Sequence, residues 1–451
     1  MKNLHSCAVS TFLLFLLAGL FACQSSTHSK STKNKEPDPN QANPMRWVTY
    51  SRQLMDDRRS AVDRMLGDDA EAFWSACAAK ARQIDDWPMI RLLSQRAAAS
   101  GDRRALPWLV RSWAIQSILV DDSERPEREA IAAITGRPAS ELLRSVVFEP
   151  KVIDEPATQV AAWSVMVRIE QPEVLRRLVA QSPVEGQSML VSMLKRVEPA
   201  VDVLPNDRVA IAQMLLLTVE YDPQQWADWA RWREARQGDE IVNLALRHLP
   251  SLLHRDIQRD SWSRSRWVEY LHGRLSKRRH ASRGDGAEEE AVVSRRPEQF
   301  SAHVDSLGIG DLLVLDHVLD AMADPEFVRD VFEQAEADRK DLRTEYGGAI
   351  VWDERGELEY KAFTPLLRRH DQAYIASTPC MEAGYLGLAH VHFHTQRHDN
   401  SAWAGPGKGD LDFADSQHIN GLVLTFLDRN TLNVDAYFPG EIIVDLGCVT
   451  R

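Results

Sequence analysis

The hydrophobic period changes once along this chain, and that change limits the folds open to it more than any other feature. From about Arg46 to Lys277, apolar residues recur at helical spacing, as in Leu106, Leu109, Val110 and Trp113. Breakers such as Gly101-Asp102, Gly136-Arg137-Pro138, Gln171-Pro172 and Asp222-Pro223 divide the runs. Asp or Asn just before an apolar run reads as a helix N-cap. Short helices with short turns predict an all-α region over 46–277, solenoid-like or an irregular bundle. No strict repeat of about 34 or 40 residues is present. Residues 278–300 then mix both charge signs with Gly and Pro, as a linker does. Past two helices, at 309–322 and 325–342, the period becomes two. Strands are expected at 346–352, from Leu358 onward, and at 385–394, 421–427, 432–437 and 441–446. The fold class is therefore multidomain, all-α followed by an α+β domain over 301–451.

The N-terminus carries an address. Lys2 precedes the apolar run 11–22, TFLLFLLAGLFA, which is too short to span a roughly 30 Å hydrocarbon core. Residues 1–22 read as a signal peptide. Leu20-Phe21-Ala22-Cys23 resembles the lipobox of bacterial lipoproteins; the other reading is a plain signal peptide with an incidental Cys. The resemblance implies acylation at Cys23, palmitate included, and a lasting membrane anchor, because two or more chains suffice for that. Gln24, in place of Asp, implies the outer membrane facing the periplasm. Residues 23–45 are polar and form a flexible tether.

Composition removes other classes. A net charge of −12 argues against nucleic acid as a partner, and five cysteines are too few for a disulfide scaffold. Cys380 and Cys448 share the C-terminal region, and their pairing stays open. Trp226, Trp229 and Trp232 stand three apart; core packing is favoured over an aromatic platform. The basic stretch 265–283 reads as a solvated helix face rather than a patch for anionic lipid. The helical region is a candidate surface for a protein partner.

Chemistry gathers at the C-terminal end, where His370, His390, His392, His394, His398 and His418 are six of the fourteen histidines. Alternation along a strand turns His390, His392 and His394 to one side. A Gly-rich loop, 395–409, leads to Asp410 at a helix start. Asp410 is also a plain capping candidate, and Asp412 and Asp415 compete with it as ligands. Glu345 precedes the first strand beside Gly347-Gly348, a pair that allows close approach.

In order, Glu345-x-x-Gly348, His392-x-His394 and Gly407-x-x-Asp410-Leu411 resemble the motif of the JAB/MPN (JAMM) metalloproteases. The likeness covers about 342–446. It implies a zinc ion on His392, His394 and Asp410, with Glu345 as the catalytic base. Thr395 stands where the family usually has Pro. The 16 positions from His394 to Asp410 exceed the usual spacing. Gly407 replaces the family's Ser, which leaves Ser401 as the loop's catalytic hydroxyl candidate. A His390/His392 register is the alternative ligand pair. Zinc chemistry agrees: two imidazoles and a carboxylate leave one position open in hydrolytic sites. The resulting expectation is a lipid-anchored envelope peptidase or amidase acting on peptide or isopeptide bonds, with cell-envelope substrates suggested by location. The contrasting expectation is a non-catalytic lipoprotein with a helical adaptor and a degenerate or metal-binding JAB-like module. A cupin would need a following Glu ligand and paired histidine strands, which are not seen.

Overall fold

The computed structural model describes residues 45–49, 54–115, 120–149, 151–183, 187–201, 204–236, 244–281, 297–341, 344–364 and 375–451. The signal peptide, Cys23, the tether up to Pro44, residues 282–296 of the linker and His370 lie outside the described residues. Among the described residues, no helix is long and apolar enough to cross a membrane.

Two compact units are present. One runs to Lys195 and takes in Asn206–Arg208; the other takes in Arg196–Pro205 and Val209–Arg451. The helices from Val209 to Leu275 therefore belong with the C-terminal sheet, whereas the composition shift had put a boundary at 278–300.

The first unit is all helical: α1 (Met55–Ala79), α2 (Trp87–Ser100), α3 (Leu106–Ala114), α4 (Pro126–Thr135), α5 (Ala139–Phe148), α6 (Pro156–Ile169) and α7 (Pro172–Gln181). Several start with Pro in the first turn, where its missing N–H is not needed, and α2 and α4 end on a left-handed Gly. Trp74, Trp108, Trp113 and Trp163 are buried in it. Arg125 and Glu127 form a buried pair at 2.7 Å; Glu127 also accepts from the Ser112 hydroxyl at 2.6 Å, which ties α4 to the end of α3. A surface groove of about 410 Å³ is lined by Glu71, Trp74, Arg104, Arg111 and Glu155. Its charges are already spent internally, Arg111 on Glu155 at 2.8 Å and Arg104 on Asp102 at 2.9 Å.

The second unit contains α8 (Arg208–Glu220, entering from Val209), α9 (Pro223–Glu234), α10 (Arg264–Leu275), α11 (Ile309–Ala321) and α12 (Pro325–Lys340). It also holds α13 (Thr378–Leu386), α14 (Lys408–Gln417) and one six-stranded sheet. The strands are β1 (Gly347–Trp352), β2 (Leu358–Phe363), β3 (Ala389–His394), β4 (Gly421–Asp428), β5 (Thr431–Phe438) and β6 (Ile442–Thr450), in the order β2-β1-β3-β4-β5-β6. All neighbours are antiparallel except β3 and β4, whose parallel pairing needs a crossover and receives one through α14. Every residue of β5 is buried, so both faces of the sheet are covered there. On one face, Leu411 and Ala414 of α14 pack with Val423, Tyr437 and Ile443. His392 is in register with Val423, so this is the histidine face. On the other, Phe332 of α12 meets Phe426 at 6.2 Å and Phe393 meets Tyr360 at 5.8 Å. Burying one such ring contributes about 2–3 kcal/mol.

The region expected as one strand over 385–394 is split. Ser377 caps α13, Pro379 sits in its first turn, and Tyr385 and Leu386 finish that helix before β3 begins at Ala389. Trp226, Trp229 and Trp232 are all buried, so they are core. The basic stretch is committed locally: Arg274 pairs with Asp316 and Asp320, and Arg278 donates to the Cys448 carbonyl. Cys380 and Cys448 do not pair. Cys380 contacts the Gly348 carbonyl at 3.6 Å and Cys448 contacts Asn433 at 3.8 Å. Gly348 is needed for close approach: a Cβ there would lie 2.3 Å from the Lys361 carbonyl oxygen.

Candidate metal centre

Three segments converge on the open end of the histidine face. β3 carries His390, His392 and His394 on one side. The residue before Tyr346, leading into β1, is Glu345. The first turn of α14 carries Asp410. His392 Nε2 lies 3.3 Å from Asp410 Oδ1. His394 Nε2 lies 4.0 Å from Asp410 Oδ2 and 3.9 Å from Glu345 Oε1. Ligand atoms of Glu345, His392 and His394 all lie within 4.8 Å of one another, and this cluster could hold a metal ion.

Their other atoms are engaged by the protein. His394 Nδ1 donates to the Trp403 carbonyl at 2.9 Å, which turns the lone pair of Nε2 toward the carboxylates. Tyr437 Oη is 3.4 Å from His392 Nδ1. Gly421 makes room for that tyrosine: a Cβ at 421 would lie 2.0 Å from the Tyr437 ring. Asp410 Oδ2 accepts from the Gly407 N–H at 2.7 Å, so the capping role and the approach to the histidines belong to one carboxylate. Asp412 instead pairs with Lys408 at 2.9 Å, and Asp415 accepts from the Gly440 N–H at 2.6 Å.

The electrostatics ask for positive charge. Burial alone would lower the His392 pKa, but Asp410, and behind it Glu345 and Asp338, outweigh burial and hold it up to about 9. Burial opposes ionisation of Asp410 too, yet His392 and His394 hold its carboxyl well below the usual range. His390 behaves in the opposite way: burial, then the neighbouring His392, pushes it down to about 3. It packs on Phe413 at 5.2 Å, with its ring 6.4 Å from that of His392. The pair that meets the carboxylates is thus His392 and His394. Two imidazoles facing two carboxylates are a donor set that fits a divalent cation of borderline softness, which would take the place of the His392 proton.

Ser401 begins a short turn that ends at Trp403, and its hydroxyl is 3.3 Å from the Asp399 carboxylate. The loop thus reaches the cluster through the Trp403 carbonyl. Sequence reading had not named Trp403 or Tyr437. A backbone carbonyl leaves no trace in residue type, whereas Tyr437 could have been sought as the hydroxyl in register with Gly421 on the histidine-facing side of β5. No family model, no curated protein and no solved structure matches this chain.

Proposed function

We propose that the chain is a zinc-dependent peptidase or amidase of the JAB/MPN type, held at the cell envelope by a lipid on Cys23. The observation that carries this reading is the meeting of Glu345, His392, His394 and Asp410, supplied in that chain order, at separations of 3.3–4.0 Å. His392, His394 and Asp410 would hold the metal. When bound, zinc supplies a Lewis acid that polarises a scissile carbonyl and makes water acidic enough to attack at neutral pH. Glu345, buried beside His394, would take a proton from the attacking water and hand it to the leaving amine. The Trp403 carbonyl keeps the His394 ring oriented throughout. Peptide or isopeptide bonds of the envelope are the substrate class.

The contrasting reading, a metal-binding interaction module without turnover, draws on the loop. Gly407 offers no hydroxyl, and that of Ser401 is directed to Asp399. Zinc content and hydrolysis of envelope peptides by the full chain separate the two. Glu345→Gln that keeps zinc and loses hydrolysis supports the enzyme; zinc binding without hydrolysis in the wild type supports the module; no zinc in the wild type overturns both.

A further inference from the structure

Asp338 lies in the last turn of α12 and is 1% exposed. A carboxylate so buried is stable only with good partners. Its Oδ1 accepts from the backbone N–H of Tyr346 at 2.7 Å, and its Oδ2 accepts from the Thr395 hydroxyl at 2.5 Å. Tyr346 directly follows Glu345, and Thr395 directly follows His394. Thr395 is itself fully buried, with its hydroxyl 3.1 Å from the Ala335 carbonyl one turn earlier in α12. One side chain therefore ties together the backbones on which the Glu345 and His394 side chains ride, and those two side chains come within 3.9 Å of each other.

The geometry points to Asp338, with Thr395, as the positioning clamp of the metal centre, fixing the separation of Glu345 from His394. Asp338 has no place among the ligands. It acts through one carboxylate that holds two chain segments, and α12 provides the rigid base. Charge-assisted bonds of this kind are about twice as strong as neutral ones and strongly directional. Groups of this type, behind the ligands, commonly change metal affinity by about 10–100-fold when removed. This inference rests on the metal reading of the site.

The test uses the purified full chain and measures zinc affinity by chelator competition, with the visible spectrum of the cobalt form as a second readout. Thr395→Val removes one arm of the clamp at nearly constant volume and should weaken zinc about 10–100-fold. Thr395→Ser should restore affinity to within about threefold of wild type, because only the hydroxyl is needed. Asp338→Asn can still accept from Tyr346 and can donate to the Thr395 oxygen, so it should bind better than Asp338→Ala. Asp311→Asn, in a buried cluster elsewhere in the same unit, is the control for general loosening. Wild-type affinity and an unchanged cobalt spectrum in Thr395→Val would overturn the clamp while leaving the metal centre standing. Equal loss of zinc in Asp311→Asn at a matched drop in Tm would also overturn it. A wild type that binds no zinc would remove the metal reading itself, and the clamp with it.

Discussion

Two buried clusters in the second unit use the same residue types and differ in how they close. In the first, His248 Nδ1 accepts from the Ala245 N–H at 3.0 Å, and His248 Nε2 lies 2.8 Å from Asp311 Oδ1. Arg247 donates to the same oxygen at 2.9 Å, and the Gly308 N–H donates to Oδ2 at 2.9 Å. Both ring nitrogens and both carboxylate oxygens are satisfied, and a permanent cation balances the charge. Burial, then Arg247, lowers the pKa of His248. In the second cluster, His392 Nε2 and His394 Nε2 face the carboxylates of Asp410 and Glu345 at 3.3, 3.9 and 4.0 Å. Among the described residues Asp410 pairs with histidines and with no arginine, and His392 is driven to accept a proton. A His–carboxylate cluster that closes on itself is architecture. One held from outside, with its lone pairs converging, is suited to a ligand.

Breaking each cluster should show this difference. The largest effect is expected on turnover: Glu345→Gln should lower peptide hydrolysis by about 10²–10⁴-fold, the usual contribution of a general base, with zinc content unchanged. Steady-state rates with metal analysis check it, and a loss of zinc in this variant would make Glu345 a ligand. Next comes stability. Asp311→Ala leaves Arg247 and a buried histidine without their carboxylate and should cost about 3–5 kcal/mol in urea unfolding. Above pH 9, where His392 is neutral, Asp410→Ala should cost the metal-free protein only about 1 kcal/mol, the scale of a lost helix cap. Equal costs would erase the distinction between the clusters.

The pH response of the metal-free protein sharpens the comparison further. His392 has a folded pKa of about 9, above its ordinary 6.5, so its contribution is whole below 6.5 and lost as pH rises through 9. His390 has a folded pKa of about 3, so its contribution is whole above 6.5 and lost as pH falls toward 3. Stability should peak near neutrality, and zinc should flatten the alkaline side, because the cation replaces the proton. Urea midpoints across that range with and without zinc test this; an alkaline decline that zinc leaves unchanged would count against His392 as a ligand. The smallest effect belongs to Tyr437→Phe. It removes one bond to His392 Nδ1, at 3.4 Å already a weak one, and should cost about 0.5–1.5 kcal/mol of zinc binding.

Much of the C-terminal region was legible because period two is a local signal. The strands at Gly347, Leu358, Gly421, Thr431 and Ile442 begin within a few residues of their expected starts. The shared face of His392 and His394 follows from alternation alone. The helix Thr378–Leu386 was not legible as such, because its apolar residues run unbroken into β3. The grouping of the helices from Val209 with the sheet depends on tertiary packing: Ala212 and Leu216 of α8 pack against Cys380, Met381 and Tyr385 of α13. Periodicity shows that a helix has an apolar face and leaves open what covers it. Asp338 lies 57 positions from Thr395, and long-range side-chain bonds leave no mark in spacing. Thr395, which reads as a departure from a motif, has its own bond to make.

The proposed metal centre puts one ion on His392, His394 and Asp410 of the second cluster. Metal analysis of the purified full chain and its variants after exposure to zinc and removal of excess tests it most directly. One zinc per chain is expected in the wild type and in Glu345→Gln, and none in His392→Ala or Asp410→Ala. Zinc retained in both of the latter, or absent from the wild type, would contradict it.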